Sequence, residues 1–174
     1  MIMKKALLVI DVQNYFVTEK ALELPQKIAG YLEESSSDYD AVLFMKFRND
    51  SASNFHTLLD FTEAKESPAT DLHETLLPFV TSDNVFEKTT YSALKSEALR
   101  AYLCDNKIEE LDMCGVSLDA CVLASAYEAF DLGFKVRVLE NLCSVSSARD
   151  DLMPAALIVI NRNLRKRENR FKRT

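Results

Sequence analysis

Glycine is scarce, with 3 in 174 residues: Gly30, Gly115 and Gly133. Their spacing forms neither G-x-G-x-x-G nor G-x-x-x-x-G-K-[ST], the loops in which close glycines let backbone N–H groups approach phosphate, so the common nucleotide-loop readings fall away. Histidine numbers 2, His56 and His73, and the 4 cysteines, Cys104, Cys114, Cys121 and Cys143, contain no C-x-x-C. A structural zinc site needs a denser donor set than this, and no metal or other cofactor is expected. No apolar run approaches the ~18 to 20 residues of a membrane span. Met1 to Lys5 leads directly into a short strand-like run without a signal-peptide core. A soluble, cytoplasmic protein with reduced thiols is expected, because a chain with this much apolar residue does not need disulfide staples.

What is present suits one α/β domain spanning residues 1–174. The chain is 48% hydrophobic and 28% charged, enough to fill a sizeable core. Its net charge is -6, unevenly spread. Residues 162–174 hold seven bases and one acid, Glu168, leaving an acidic body with a basic tail from about 162. A nucleic-acid footprint needs a basic face rather than a basic end, so no nucleic-acid partner is expected. The tail reads as a helix end whose cations suit the negative pole of the helix dipole, followed by a solvated terminus.

Strand and helix signals alternate. Ala6 to Ile10 (ALLVI) is apolar at every position, as a parallel strand buried on both faces requires, and Ala41 to Phe47 (AVLFMKF) is a second such run. Pro25 can open a helix carrying Ile28, Tyr31 and Leu32 and ending near Ser35 to Ser37. Residues 48–83 are mixed, with short helices expected around Phe55 to Phe61 and Leu72 to Phe79. Further on come a short strand at Asn84 to Glu87, a helix at Ser96 to Asn106 and a strand at Glu110 to Cys114. Next are a helix at Asp119 to Leu132 closed by Gly133, a strand at Phe134 to Leu139 and a last helix from about Asp151 into the tail. This alternation specifies a three-layer α-β-α domain with a mostly parallel sheet.

In such sheets, functional groups collect beyond the carboxyl ends of the strands. Asp11 follows the first strand, Lys88 follows the Val85 to Glu87 run, and Cys121 falls in the first turn of the helix after the Leu111 to Cys114 strand. A helix N-terminus favours thiolate over thiol, which singles out Cys121. Cys114 reads as a buried strand residue, Cys104 as a helix-face residue and Cys143 as a loop residue.

Three segments carry a resemblance: Leu8-Val9-Ile10-Asp11-Val12-Gln13-Asn14-Tyr15-Phe16, Phe86-Glu87-Lys88-Thr89-Thr90-Tyr91-Ser92-Ala93, and the run from Gly115 through Val116, Ser117, Leu118, Asp119, Ala120 and Cys121 to Ala126. Together, in this order, the chain resembles the isochorismatase-like cysteine hydrolases, a superfamily that includes nicotinamidases, N-carbamoylsarcosine amidohydrolases and ureidoacrylate amidohydrolases. The resemblance implies strand order 3-2-1-4-5-6. It also implies a triad of Cys121 as nucleophile, Asp11 as general base and proton shuttle, and Lys88 as the cation that holds them. It further implies a cis peptide between Val116 and Ser117, with the backbone amides of Ser117 and Cys121 as oxyanion donors, and association as a homodimer or higher homo-oligomer.

Two departures narrow the expectation. Leu118 stands where many members carry Thr. The nicotinamidase metal motif D-x-H-x-x-H has no match in Lys46 to His56, which offers Asp50 and His56 without a second histidine. Gln13, Phe16, Phe47 and Tyr91 are the expected substrate-binding residues. The expected activity is hydrolysis of a C–N bond in a small amide, imide or ureido compound through an acyl-thioenzyme, without metal. The alternatives are isochorismatase-like ether hydrolysis, a non-catalytic binding domain, or a redox-sensing thiol protein on the same fold.

Overall fold

The computed structural model describes residues 3–165. Five parallel strands form one sheet in the order β3-β2-β1-β4-β5: β1 (Lys4–Ile10), β2 (Ala41–Phe47), β3 (Val85–Lys88), β4 (Ile108–Gly115) and β5 (Lys135–Cys143). The central β1 earns its place by composition, since Ala6 through Ile10 are all fully buried and pack under helices on both faces. The helices are α1 (Leu24–Ser35), α2 (Asn54–Leu59), α3 (Glu97–Asp105), α4 (Leu123–Asp131) and α5 (Leu152–Asn163). Pro25 sits in the first turn of α1, and Ile28, Ala29 and Leu32 point its apolar stripe into the core. Ser96 caps α3 by accepting the Leu99 N–H.

The three-layer parallel architecture is as expected, but a sixth strand has no counterpart among the described residues. That strand was implied by resemblance alone. After β5, the spacing of buried Ala156 and Ile160 and the run of Ala and Leu favour the helix α5 instead. The basic tail beyond residue 165 lies outside the described residues. The segment Leu72 to Phe79 is a 3-10 helix at Glu74–Phe79 rather than a regular helix, with Pro78 inside it. Cys143 is not a loop residue. β5 runs on past an irregularity, where Met113 pairs with Val138 but Gly115 pairs with Cys143, and Cys143 ends the strand buried. Glu140 and Asn141 break the apolar alternation there, which is why the strand seemed to stop at Leu139.

Two backbone details set the carboxyl edge of the sheet. Gly115 has φ 119°, and a Cβ there would lie 2.1 Å from the Ile10 carbonyl oxygen, so only glycine lets β4 approach β1 this closely. Directly after Ile10, Asp11 adopts φ 53°, a left-handed conformation that costs a non-glycine residue of order 1–2 kcal/mol. Its N–H reaches the Met45 carbonyl at 3.1 Å, tying the turn to β2.

Candidate active site

Asp11, Lys88 and Cys121 arrive from three separate segments and meet at the carboxyl edge of the sheet. Lys88 is the last residue of β3, in register with Phe47 on β2. Cys121 lies in a single π-helical turn, Leu118–Val122, that joins the β4 loop to α4, with the Val122 N–H reaching the Ser117 carbonyl at 3.1 Å. The Lys88 Nζ is 2.6 Å from Asp11 Oδ2, donates to the Thr90 carbonyl at 2.9 Å and lies 3.5 Å from Cys121 Sγ. The Asp11 side chain is 1% exposed, and its contact with Lys88 is a buried ion pair at the floor of a cavity.

Burial raises the Asp11 carboxyl above the ordinary carboxylate range, with the Lys88 charge opposing it. Burial also works against the Lys88 ammonium, yet its contact with the Asp11 carboxylate outweighs it and Lys88 is raised. The Cys121 thiol is pushed up to about 12 by burial first and by the Asp11 carboxylate second, with Lys88 pulling the other way. This corrects the expectation of a thiolate favoured by a helix N-terminus. Only one anion can be held against one ammonium here, and at rest it is the carboxylate.

The peptide between Val116 and Ser117 is cis. Ser117 Oγ accepts the Ser146 N–H at 2.6 Å and lies 3.0 Å from Ser146 Oγ, joining the β4 loop to the loop after β5. Above the cluster opens a cavity of about 220 Å³ whose wall includes Asp11, Ser117, Ala120, Cys121 and Ser146 together with Phe16, Phe47, Phe55, Leu59, Phe61 and Tyr91. Of the residues expected to bind substrate, Phe16, Phe47 and Tyr91 line this cavity and Gln13 does not. Gln13 is fully buried, donating to the Phe47 and Thr70 carbonyls and accepting the Phe47 N–H at 2.7 Å, so it fixes the β1 and β2 ends instead. Phe55, Phe61 and Ser146 were missed. The first two fall in the mixed stretch 48–83, where no regular hydrophobic period points to either.

The same stretch does not assemble a metal site among the described residues. Asp50 turns back to accept the Ala52 N–H at 2.7 Å, while Asn49 donates to the Phe61 and Glu63 carbonyls. His56 Nδ1 is buried without a partner, but it is a lone donor, and among the described residues no three His, Cys, Asp or Glu side chains converge. These residues do not fit a bound metal ion.

Fold and site together define an α/β domain with a cysteine, an acid and a lysine clustered where β1, β3 and β4 end. The chain belongs to the isochorismatase family: the Isochorismatase domain matches residues 5–160. It is a hydrolase of that family. It is 31% identical to the "uncharacterized isochorismatase family protein PncA" of Bacillus subtilis strain 168, over 78% of this chain and 84% of that protein. It is 28% identical to the nicotinamidase/pyrazinamidase of Mycobacterium tuberculosis over 88% and 92% of the two chains. The crystal structure of nicotinamidase/pyrazinamidase PncA from Bacillus subtilis superposes with TM-score 0.79 at 26% identity, covering 93% of this chain and 97% of that one. The N-carbamoylsarcosine amidase of Thermoplasma acidophilum shares the fold with TM-score 0.79 at 21% identity, covering 93% of each chain. Among the described residues no helix is long and apolar enough to cross a membrane.

Proposed function

We propose that this protein hydrolyses the C–N bond of a small amide, imide or ureido compound through an acyl-thioenzyme at Cys121, with Asp11 as the general base and no metal ion. The observation that carries the reading is the closed Asp11–Lys88–Cys121 cluster, with separations of 2.6 Å and 3.5 Å, on the floor of a cavity of small-molecule size. Asp11 takes the thiol proton as Sγ attacks the carbonyl carbon. The charge thereby moves from carboxylate to sulfur beside the same ammonium, so Lys88 compensates both states. The carbonyl oxygen becomes an oxyanion held by the backbone N–H groups of Ser117 and Cys121. Collapse of the tetrahedral adduct breaks the C–N bond, and Asp11 returns its proton to the departing nitrogen. A water molecule, deprotonated by Asp11, then attacks the thioester, and the sulfur leaves and regains its proton.

The relatives named for nicotinamidase, N-carbamoylsarcosine amidase and streptothricin hydrolase activity support amide-type hydrolysis for the family. The deciding experiment measures ammonia release from a panel of small amides with wild type, Cys121→Ala and Asp11→Asn, with mass spectrometry of the quenched enzyme. Wild-type turnover, an acyl adduct on Cys121 and inactive variants are expected. Turnover by Cys121→Ala near the wild-type rate would refute the thioester route. The protein is further proposed to be cytoplasmic, to form one domain over 1–174 and to act as a homo-oligomer, most simply a two-fold dimer; light scattering at micromolar concentration showing a monomer would rule the dimer out.

A further inference from the structure

The wall of the cavity restricts what the acyl group can be, an inference that rests on the hydrolase reading above. Five rings converge beside Cys121, with Phe47 at the hub. Its centroid is 4.8 Å from Phe55, 6.0 Å from Phe16 and 6.3 Å from Phe61, and Phe55 is 4.6 Å from Tyr91. Rings braced on one another at steep angles form a cup that exists before a ligand enters. The cavity, about 220 Å³, compares with the ~150 Å³ apolar cavity that takes up benzene. It therefore has room for about one ring and its carboxamide.

No lysine, arginine or histidine lines it. The nearest ammonium, Lys88, has a side chain with no exposed surface and is committed to Asp11, the Thr90 carbonyl and Cys121. Arg48 pairs with Glu87 and faces a separate depression that it shares with Lys95. A carboxylate entering the cup would lose its water and gain no cation. An ammonium would meet ring faces, which attract cations, so the wall gives no ground for rejecting it. An uncharged apolar group loses nothing by desolvation and gains the buried ring surface.

We propose that the cavity selects uncharged, apolar acyl groups of about one ring, and discriminates against amides that carry a carboxylate group. A ring nitrogen confers no advantage, because the residues present offer no metal to hold it. Phe55 and Phe61 set this specificity together with Phe47, while Leu59, 58% exposed at the rim, marks where a charge could be added without disturbing the core.

NMR titration of full-length Cys121→Ala with benzamide, nicotinamide and succinamate tests the charge rule without turnover. Benzamide should bind about tenfold or more tightly than succinamate, a difference of about 1.4 kcal/mol or more, and no more weakly than nicotinamide. Phe55→Ala in the same background should lower benzamide affinity about tenfold, and Leu59→Arg should raise succinamate affinity by a similar factor. Absence of benzamide binding, equal binding of succinamate, or indifference of succinamate to Leu59→Arg would overturn the proposal. Ammonia release by wild type from the same three compounds separates the two claims. Selective binding of benzamide without hydrolysis of any amide would refute the hydrolase reading and leave the ligand class standing.

Discussion

Replacing Lys88 by methionine keeps the buried stem and removes its charge, leaving Asp11 without a countercharge in a site with almost no solvent exposure. The two side chains are 0% and 1% exposed, so solvent screening gives no relief. Breaking a buried pair by deleting one partner costs about 3–5 kcal/mol, a large share of the ~5–15 kcal/mol by which a domain is stable. The loss has a predictable pH dependence. Asp11 already titrates above its unfolded value of 3.8 because burial outweighs the pull of Lys88, and removing Lys88 raises it further. Between the unfolded and folded values the folded state binds the extra proton, so stability falls as pH rises, by up to about 1.4 kcal/mol per pH unit, and levels off above the folded value. Lys88→Met is therefore expected to lie closest to wild type near about pH 4–5 and furthest below it near about pH 8. Urea unfolding followed by circular dichroism at both pH values gives the two differences. The double variant Asp11→Asn with Lys88→Met should recover about 2 kcal/mol or more at the higher pH, since no buried charge remains. Equal losses at both pH values, together with additive single and double variants, would show that the pair is not the buried ionic unit described above.

The pH profile of kcat/KM should rise through one ionisation above the usual carboxylate range, when Asp11 becomes the carboxylate base, and stay level to about pH 9. Lys88 is raised and Cys121 is pushed up to about 12, so a descending limb near neutrality would contradict this assignment. Brief iodoacetamide treatment followed by peptide mass spectrometry should modify the exposed Cys104 before the buried, protonated Cys121, reversing what the helix-terminus argument from sequence predicts. Cys121 labelled first would mean that the resting sulfur is a thiolate. Gly115→Ala should cost about 3 kcal/mol or more, because its Cβ would stand 2.1 Å from the Ile10 carbonyl and its φ is 119°. A variant with wild-type thermal stability would refute the close-approach argument.

The buried strands were legible because a parallel strand covered on both faces must be apolar throughout, a local property that Leu7 to Ile10 and Leu43 to Met45 carry in their composition. For the same reason the end of β1 could be located, and with it Asp11, while Lys88 and Cys121 were placed from the shorter runs Val85 to Glu87 and Leu111 to Cys114. Their grouping as a triad required the resemblance, since positions 11, 88 and 121 have no local relation to one another. Tertiary structure alone decided three further points. It gave the carboxylate rather than the thiol the single negative charge, because burial and the position of one ammonium are properties of the assembled site. It assigned Gln13 to holding two strand ends together, where its amide satisfies backbone groups of Phe47 and Thr70 that are distant in the chain. It also built the aromatic cup from Phe55 and Phe61, whose stretch has no regular hydrophobic period. Their side chains face the cavity because α2 and the chain after it fold back over the β2 end, held by Asn49 and the Ser53 cap. Periodicity records which face of a regular element is buried; it carries no record of which irregular segment closes over a site.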